Sequence, residues 1–215
     1  MTLDILPAAL SAYAEAHTSP ESDLLRRLNR DTNANVLRPN MLSGHLQGRM
    51  LALFSHLLRP RRILEIGTYT GYSALCLAEG LTDDGKLITL DINEELEKRV
   101  RHWFAQSDLA AKIDYRIGNA ADIIPTLDET FDLVFIDADK AGYAQYFDLT
   151  VDRVRPGGLL IADNVLWKGK VTQPELKDKA LHTMMAFNQK VHDDPRVENV
   201  LFPVRDGLMV MRKLA

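Results

Sequence analysis

What the sequence has little of narrows it first. It holds a single cysteine, Cys76, in 215 residues, so no internal disulfide can form and a cysteine-built metal site is excluded. No apolar run approaches the roughly 18 residues of a membrane span. The opening stretch MTLDILPAALSAYAEAH lacks a basic segment followed by an apolar core. It does not read as a secretory leader, and a cytoplasmic location is expected. There is no basic excess: the formal net charge is −4, which argues against a dedicated nucleic-acid binder. Repeats, low-complexity tracts and linkers are missing, and the histidines are scattered without forming a ligand pair. With 46% apolar and 26% charged residues, the chain reads as globular, and its length suits one large α/β domain.

What is present is a change of pattern near residue 60. The stretch before it reads as helices. SPESDLLRRLNRD offers Ser19 as an N-cap with Pro20 at the first helical position. MLSGHLQGRMLALFSHLL has helical apolar spacing and ends before Pro60. From Arg62 onward, strands and helices alternate: RILEIG, KLITLDI, IDYRIG, FDLVFID and, after a turn at RPGG, LLIADN. In the helix NEELEKRVRHWFAQ, Glu94 with Lys98 and Glu95 with Arg99 are spaced for i,i+4 pairs, and Asn93 is placed to cap. This is the pattern of an open, doubly wound, mostly parallel sheet. The last two strands, VENVLFPV and GLMVMRKL, are joined too closely for a parallel crossover and form an antiparallel hairpin.

Ligands bind such sheets outside the carboxyl ends of the strands, and that is where polar residues gather. The first strand ends EIGTYTG, with Gly67 permitting close backbone approach beside a helix N-terminus. This is not the G-x-G-x-x-G of a pyrophosphate loop. The second strand ends at Asp91, which can accept both hydroxyl protons of a ribose or, alternatively, serve the following helix N-terminus. The fourth ends at Asp137 and the fifth at Asp163 and Asn164. Two carboxylates and an amide carbonyl suit Mg²⁺ or Ca²⁺ and not zinc, although each residue singly is also at home in a turn. Lys140, three residues after Asp137, reads by itself as an exposed lysine at a helix start. Beside a divalent cation its charged form would be disfavoured, making it a candidate base. Asp139 reads as a turn or capping residue. The basic cluster RPRR, Arg59 to Arg62, falls at the opposite end of the strands and reads as a solvated connection.

LEIGTYTGYSAL, FIDADKAGY, ADNVLWKG and DPRVENVLFPVRDGLMVMRK together resemble the cation-dependent O-methyltransferases of the caffeoyl-CoA and catechol type, class I S-adenosylmethionine (SAM) enzymes. The resemblance runs from about Val36 to Lys213. It implies a Rossmann-like seven-stranded sheet, mostly parallel with a C-terminal antiparallel hairpin and helices on both faces, in a single domain over 1–215. Residues 1–60 would contribute to the acceptor pocket and to a homodimer, and 61–215 would form the SAM-binding core. Glu65, Gly67, Thr68 and Ser73 would line the methionine part of SAM, Asp91 the ribose and Ala120 the adenine. Met41 and Ser43 would lie near the sulfonium. Asp137, Asp163 and Asn164 match the ligands of Mg²⁺ (or of Mn²⁺ or Ca²⁺), with Asp137 also beside SAM. Lys140 matches the catalytic lysine, and Trp167 an aromatic next to a small phenolic acceptor. Lys168, Arg205 and Asp206 stand where specificity is decided.

The implied reaction transfers a methyl group to one hydroxyl of a vicinal diol, with positioning of two bound reactants as the main contribution. A nicotinamide oxidoreductase would want the glycine fingerprint this chain lacks. A SAM enzyme acting on RNA, or on a non-catechol metabolite, is the alternative within the same cofactor class. The acidic strand ends argue against a polyanion. A non-catalytic SAM-binding module would have no reason to keep Asp137, Asp163, Asn164 and Lys140 together.

Overall fold

Alternation along the strands decides how the sheet is covered. In RILEI, Leu64 and Ile66 pack on one face and Ile63 on the other, all buried; a strand covered on both sides reads as a continuous apolar run. The structure, a computed structural model, describes residues 7–215. The first six residues of the stretch read above for a leader lie outside them. The chain runs α1 (Ala8–Ala16), α2 (Asp23–Asn35), α3 (Gly44–Leu58), β1 (Arg62–Ile66), α4 (Tyr72–Ala78), β2 (Lys86–Asp91), α5 (Glu97–Phe104) and β3 (Ile113–Ile117). Then come α6 (Ala120–Ile123), β4 (Phe131–Ile136), α7 (Tyr143–Thr150), β5 (Val154–Asp163), α8 (Lys179–Asp193), β6 (Val197–Phe202) and β7 (Leu208–Lys213).

The seven strands lie in the order β3-β2-β1-β4-β5-β7-β6. β1 to β5 pair in parallel, and β7 runs antiparallel to both β5 and β6. This is the expected doubly wound sheet with its terminal hairpin. Chain order reverses between β1 and β4, which opens a crevice outside their carboxyl ends. One core layer joins the sheet to Tyr143, Phe147, Met184 and Phe187 of α7 and α8. The other joins it to Leu28, Leu51, Leu75 and Val100 of α2 to α5. Among the described residues, no helix is long and apolar enough to cross a membrane.

Three local expectations are corrected. The second helix begins at Asp23, not Pro20, and its cap is Ser22, whose hydroxyl accepts from the Leu25 amide at 3.2 Å. Both serines have capping chemistry; burial of Leu25, Leu28 and Thr32 sets the register. RPGG is not a turn before the fifth strand but part of β5, whose register against β4 shifts between Phe131 and Leu133. Gly157 there has φ of +77°, the backbone of an irregularity within a strand. Finally, Arg99 pairs with Asp31 on α2 and not with Glu95. Glu94 and Glu95 sit in a 3₁₀ turn before α5, so the α-helical i,i+4 spacing does not apply to them.

Candidate active site

The loops leaving β1, β3 and β4 stay in step for one residue beyond the strands. Gly67 N donates to Leu90 O, Asp137 N to Ile66 O and Gly118 N to Asp91 O, each at 2.8 Å. Gly67 has φ of +103°, and a Cβ there would fall 2.0 Å from the Asp137 carbonyl oxygen. Only glycine lets the β1 loop cross the end of β4 so closely. Beyond these ends lies a cavity of about 1070 Å³, room for two small reactants by the usual size of ligand sites. Gly67, Asp91, Ala120, Asp137, Lys140, Asp163, Asn164 and Met41 all line it. Glu65, Thr68, Ser73 and Ser43 do not; they are buried behind its wall.

Glu65 continues the inward alternation of β1 and is fully buried. Thr89 donates to its Oε2 at 2.5 Å, and the Thr68 and Thr89 hydroxyls are 2.6 Å apart. Its Oε1 has no hydrogen-bond partner. Burial pushes the carboxyl up to about 8. A buried carboxyl oxygen left without a partner beside a glycine crossing fits a polar ligand group, as the amino-acid end of SAM would supply.

Asp91 accepts from Tyr69 N at 2.7 Å on one oxygen and from Asn93 N at 2.8 Å on the other. Asn93 performs the capping, accepting from Glu95 N at 3.0 Å. The Asp91 carboxylate is therefore fixed by two amides while each oxygen keeps acceptor capacity toward the cavity.

On the other side of Gly67, Asp137 and Asp163 stand at the ends of neighbouring parallel strands. Lys140 Nζ donates to Asp137 Oδ1 at 3.1 Å and to the Tyr143 hydroxyl at 2.6 Å. Tyr143, fully buried, donates in turn to the Asp163 carbonyl at 3.0 Å. Lys140 is thus not the exposed lysine that its place at a helix start suggests: its side chain is only 16% exposed. Asp163 Oδ2 accepts from Gln47 Nε2 at 2.7 Å, and Oδ1 from Asn164 N at 2.6 Å. Burial, with the Asp137 charge adding to it, pushes the Asp163 carboxyl up to about 6. Asn164 holds a left-handed φ of +59°, a conformation asparagine tolerates better than most residues. Asp139 caps, accepting from Gly142 N at 2.9 Å and from the Tyr146 hydroxyl at 2.6 Å.

The described residues hold no cluster of three His, Cys, Asp or Glu side chains suited to a metal. A cation here would therefore rest on two carboxylates completed by the Asn164 amide. The residues fit one: Asp137 pairs with Lys140, Asp163 accepts from two neutral amides, and all the donors are hard oxygens.

The mouth is polar and aromatic. Trp167 Nε1 donates to Asp178 Oδ2 at 3.2 Å, which Lys170 also reaches at 2.9 Å. Lys168 N donates to Asp206 Oδ1, and Arg205 Nη1 to the Leu42 carbonyl at 2.9 Å. The hairpin of β6 and β7 is thereby tied to the segments before α3 and after β5. Sequence reading missed Gln47 and Tyr143. Tyr143 had a signal, three residues after Lys140 and so on the same helical face. Gln47 had a weaker one, a polar residue four positions before the buried Leu51.

A Rossmann-like sheet with a cavity outside the carboxyl ends of its strands is the architecture of a nucleotide-cofactor protein. Comparison narrows it. A family model described as O-methyltransferase matches residues 15–214, and the chain belongs to that family. A probable caffeoyl-CoA O-methyltransferase 2 of Dictyostelium discoideum is 31% identical over 208 residues, covering 94% of this chain and 90% of that protein. The catechol O-methyltransferase domain-containing protein 1 of Mus musculus is 35% identical over 176 residues, 78% of this chain and 66% of that one. Among solved structures, a SAH-bound methyltransferase of Podospora anserina superposes with a TM-score of 0.88 at 29% identity, covering 96% and 94% of the two chains. A Streptomyces achromogenes O-methyltransferase involved in tomaymycin synthesis, solved with SAM, gives 0.87 at 28%, covering 96% of each. The protein is a SAM-dependent O-methyltransferase.

Proposed function

We propose that this enzyme is divalent-cation dependent and methylates one hydroxyl of a small vicinal-diol acceptor, catechol-like or caffeoyl-like. The observation that carries the reading is the pair of acids Asp137 and Asp163 at adjacent strand ends, the first paired with Lys140 and the second held by neutral amides. The names of the relatives, caffeoyl-CoA O-methyltransferase and catechol O-methyltransferase domain-containing protein, support the acceptor class.

In this reading Asp137, Asp163 and Asn164 hold the cation, which when bound would supply electrostatic stabilisation to a developing phenolate. Glu65, Gly67, Thr68 and Ser73 receive the methionine end of SAM, Asp91 the ribose and Ala120 the adenine. Asp137 borders both halves. SAM supplies the electrophilic methyl group. Lys140, held by Asp137 and the Tyr143 hydroxyl, takes up the acceptor proton at Nζ as the neutral amine, the form that a cation bound beside it would favour. Met41 and Ser43 lie near the sulfonium, and Trp167 places the acceptor for in-line attack; orientation of this kind is worth orders of magnitude in rate. Of the segment 1–60, the described residues 7–60 wall the acceptor side, and the active species is a cytoplasmic homodimer.

The test is methyl transfer from SAM to a panel of catechols, with Mg²⁺ or with excess EDTA. Methoxyphenol formation that EDTA abolishes is expected. Equal turnover in EDTA removes the cation from the mechanism, and turnover of monophenols as fast as of catechols removes the diol.

A further inference from the structure

Gln47 is an amide in the wrong company. It lies on the buried face of α3 with Gly48, Leu51 and Ala52, and is 1% exposed. An amide taken out of water without a partner is costly, so its partner matters. That partner is Asp163 Oδ2 at 2.7 Å, 116 residues away in the chain. The other carboxylate oxygen, Oδ1, is held by the neighbouring Asn164 N at 2.6 Å. Each oxygen therefore has one donor, which fixes the plane of the carboxylate and leaves acceptor capacity on both atoms.

The chemistry of the donor is selective. Two residues further along α3, Arg49 pairs with Glu79 at 2.5 Å and supplies a full positive charge. At Asp163 the helix supplies a neutral amide instead. A neutral donor orients a carboxylate without cancelling its charge, whereas a guanidinium would compete with a cation for it. We propose that Gln47 is a positioning residue for the cation site: it reaches from the N-terminal helical layer to set the Asp163 carboxylate, and the site's affinity for a divalent cation depends on it. The proposal rests on the cation reading of Asp137, Asp163 and Asn164 above.

The experiment titrates full-length wild type and Gln47→Met with Mn²⁺, reading free Mn²⁺ by electron paramagnetic resonance, and measures S-adenosylhomocysteine affinity by calorimetry. Methionine keeps the length and apolar fit and removes the donor. Mn²⁺ affinity should fall roughly 10- to 100-fold, the usual effect of removing an outer partner of a metal ligand. S-adenosylhomocysteine affinity should stay within about twofold, because Gln47 contacts none of the cofactor-side residues in the way it contacts Asp163. Unchanged Mn²⁺ affinity overturns the proposal, and so does an equal loss of both affinities, which would mean general loosening. If Gln47→Met does not fold, Gln47→Asn, whose amide is one methylene too short, carries the same expectations. Wild type that binds no Mn²⁺ removes the cation reading itself, and the proposal with it; that failure shows in the wild-type arm alone.

Discussion

The two ends of the sheet carry similar side chains and treat them differently. At the amino ends, acids and arginines neutralise one another. Asp132 accepts from the Arg61 and Arg62 amides at 2.7 and 2.8 Å and pairs with Arg155 at 2.5 Å. Arg62 pairs with Glu129 at 3.0 Å, and Arg61 with Asp84 at 2.6 Å. These partners hold the Asp132 carboxyl below its ordinary value despite its burial. At the carboxyl ends the acids are short of partners. Glu65 has a bare oxygen, Asp137 has one lysine, and Asp163 has only two neutral amide donors. Where the fold completes an acid with an arginine, the acid serves stability. Where it supplies only amides, hydroxyls and one lysine, the acid is left able to take a ligand.

That contrast can be broken by mutation. The largest effect expected is at Lys140. Lys140→Ala should lower kcat by roughly 10²–10⁴, the range for losing a general base, while S-adenosylhomocysteine binding persists in calorimetry. Loss of cofactor affinity with kcat intact would make Lys140 structural. Tyr143→Phe comes next. It keeps the buried ring and removes the hydroxyl that receives Lys140 Nζ, so kcat should fall by up to roughly 10²-fold, the scale of misplacing a reacting group by about 1 Å. KM for a catechol should change little, and steady-state kinetics separate the two.

Glu65 sharpens the comparison through pH. Its folded-state value is raised to about 8 from an ordinary 4.5, so the folded protein keeps a proton that the unfolded chain gives up. Its contribution to stability is present at low pH and is lost as pH rises from about 4.5 to about 8. Relative to Glu65→Gln, wild type without ligands should lose at most about 1.4 kcal/mol of stability per pH unit across that window. Urea unfolding at several pH values measures it, and parallel curves for the two proteins would contradict it.

The carboxyl-edge acids were legible in the sequence because they interrupt apolar strands. FIDADK and ADN announce Asp137 and Asp163 where a buried run stops, and Asp139 reads correctly as a cap. The hairpin was legible from a link too short for a crossover. What stayed hidden depends on tertiary contacts. Asp163 gains its second donor from a helix more than a hundred residues upstream, and no local pattern encodes that approach. Lys140 looked exposed because a lysine at a helix start usually is; only the packing of α7 against β4 and β5 puts it beside Tyr143. The start of α2 was misplaced for a related reason: Ser19 and Ser22 are equivalent capping residues locally, and burial of Leu25 and Leu28 chooses between them.

The most direct measurement of the difference between the two ends is the thermal shift produced by Mg²⁺. A cation bound only by the folded state stabilises it by about 2.7 kcal/mol at a hundred times its Kd. Wild type and Asp132→Asn, the amino-end variant, should rise in Tm by the same amount when Mg²⁺ replaces EDTA, even though Asp132→Asn melts lower at the outset. Asp163→Asn should show little or no rise. An equal Mg²⁺ shift in Asp163→Asn and wild type, or no shift in wild type, would contradict the assignment of Asp137 and Asp163 to a cation.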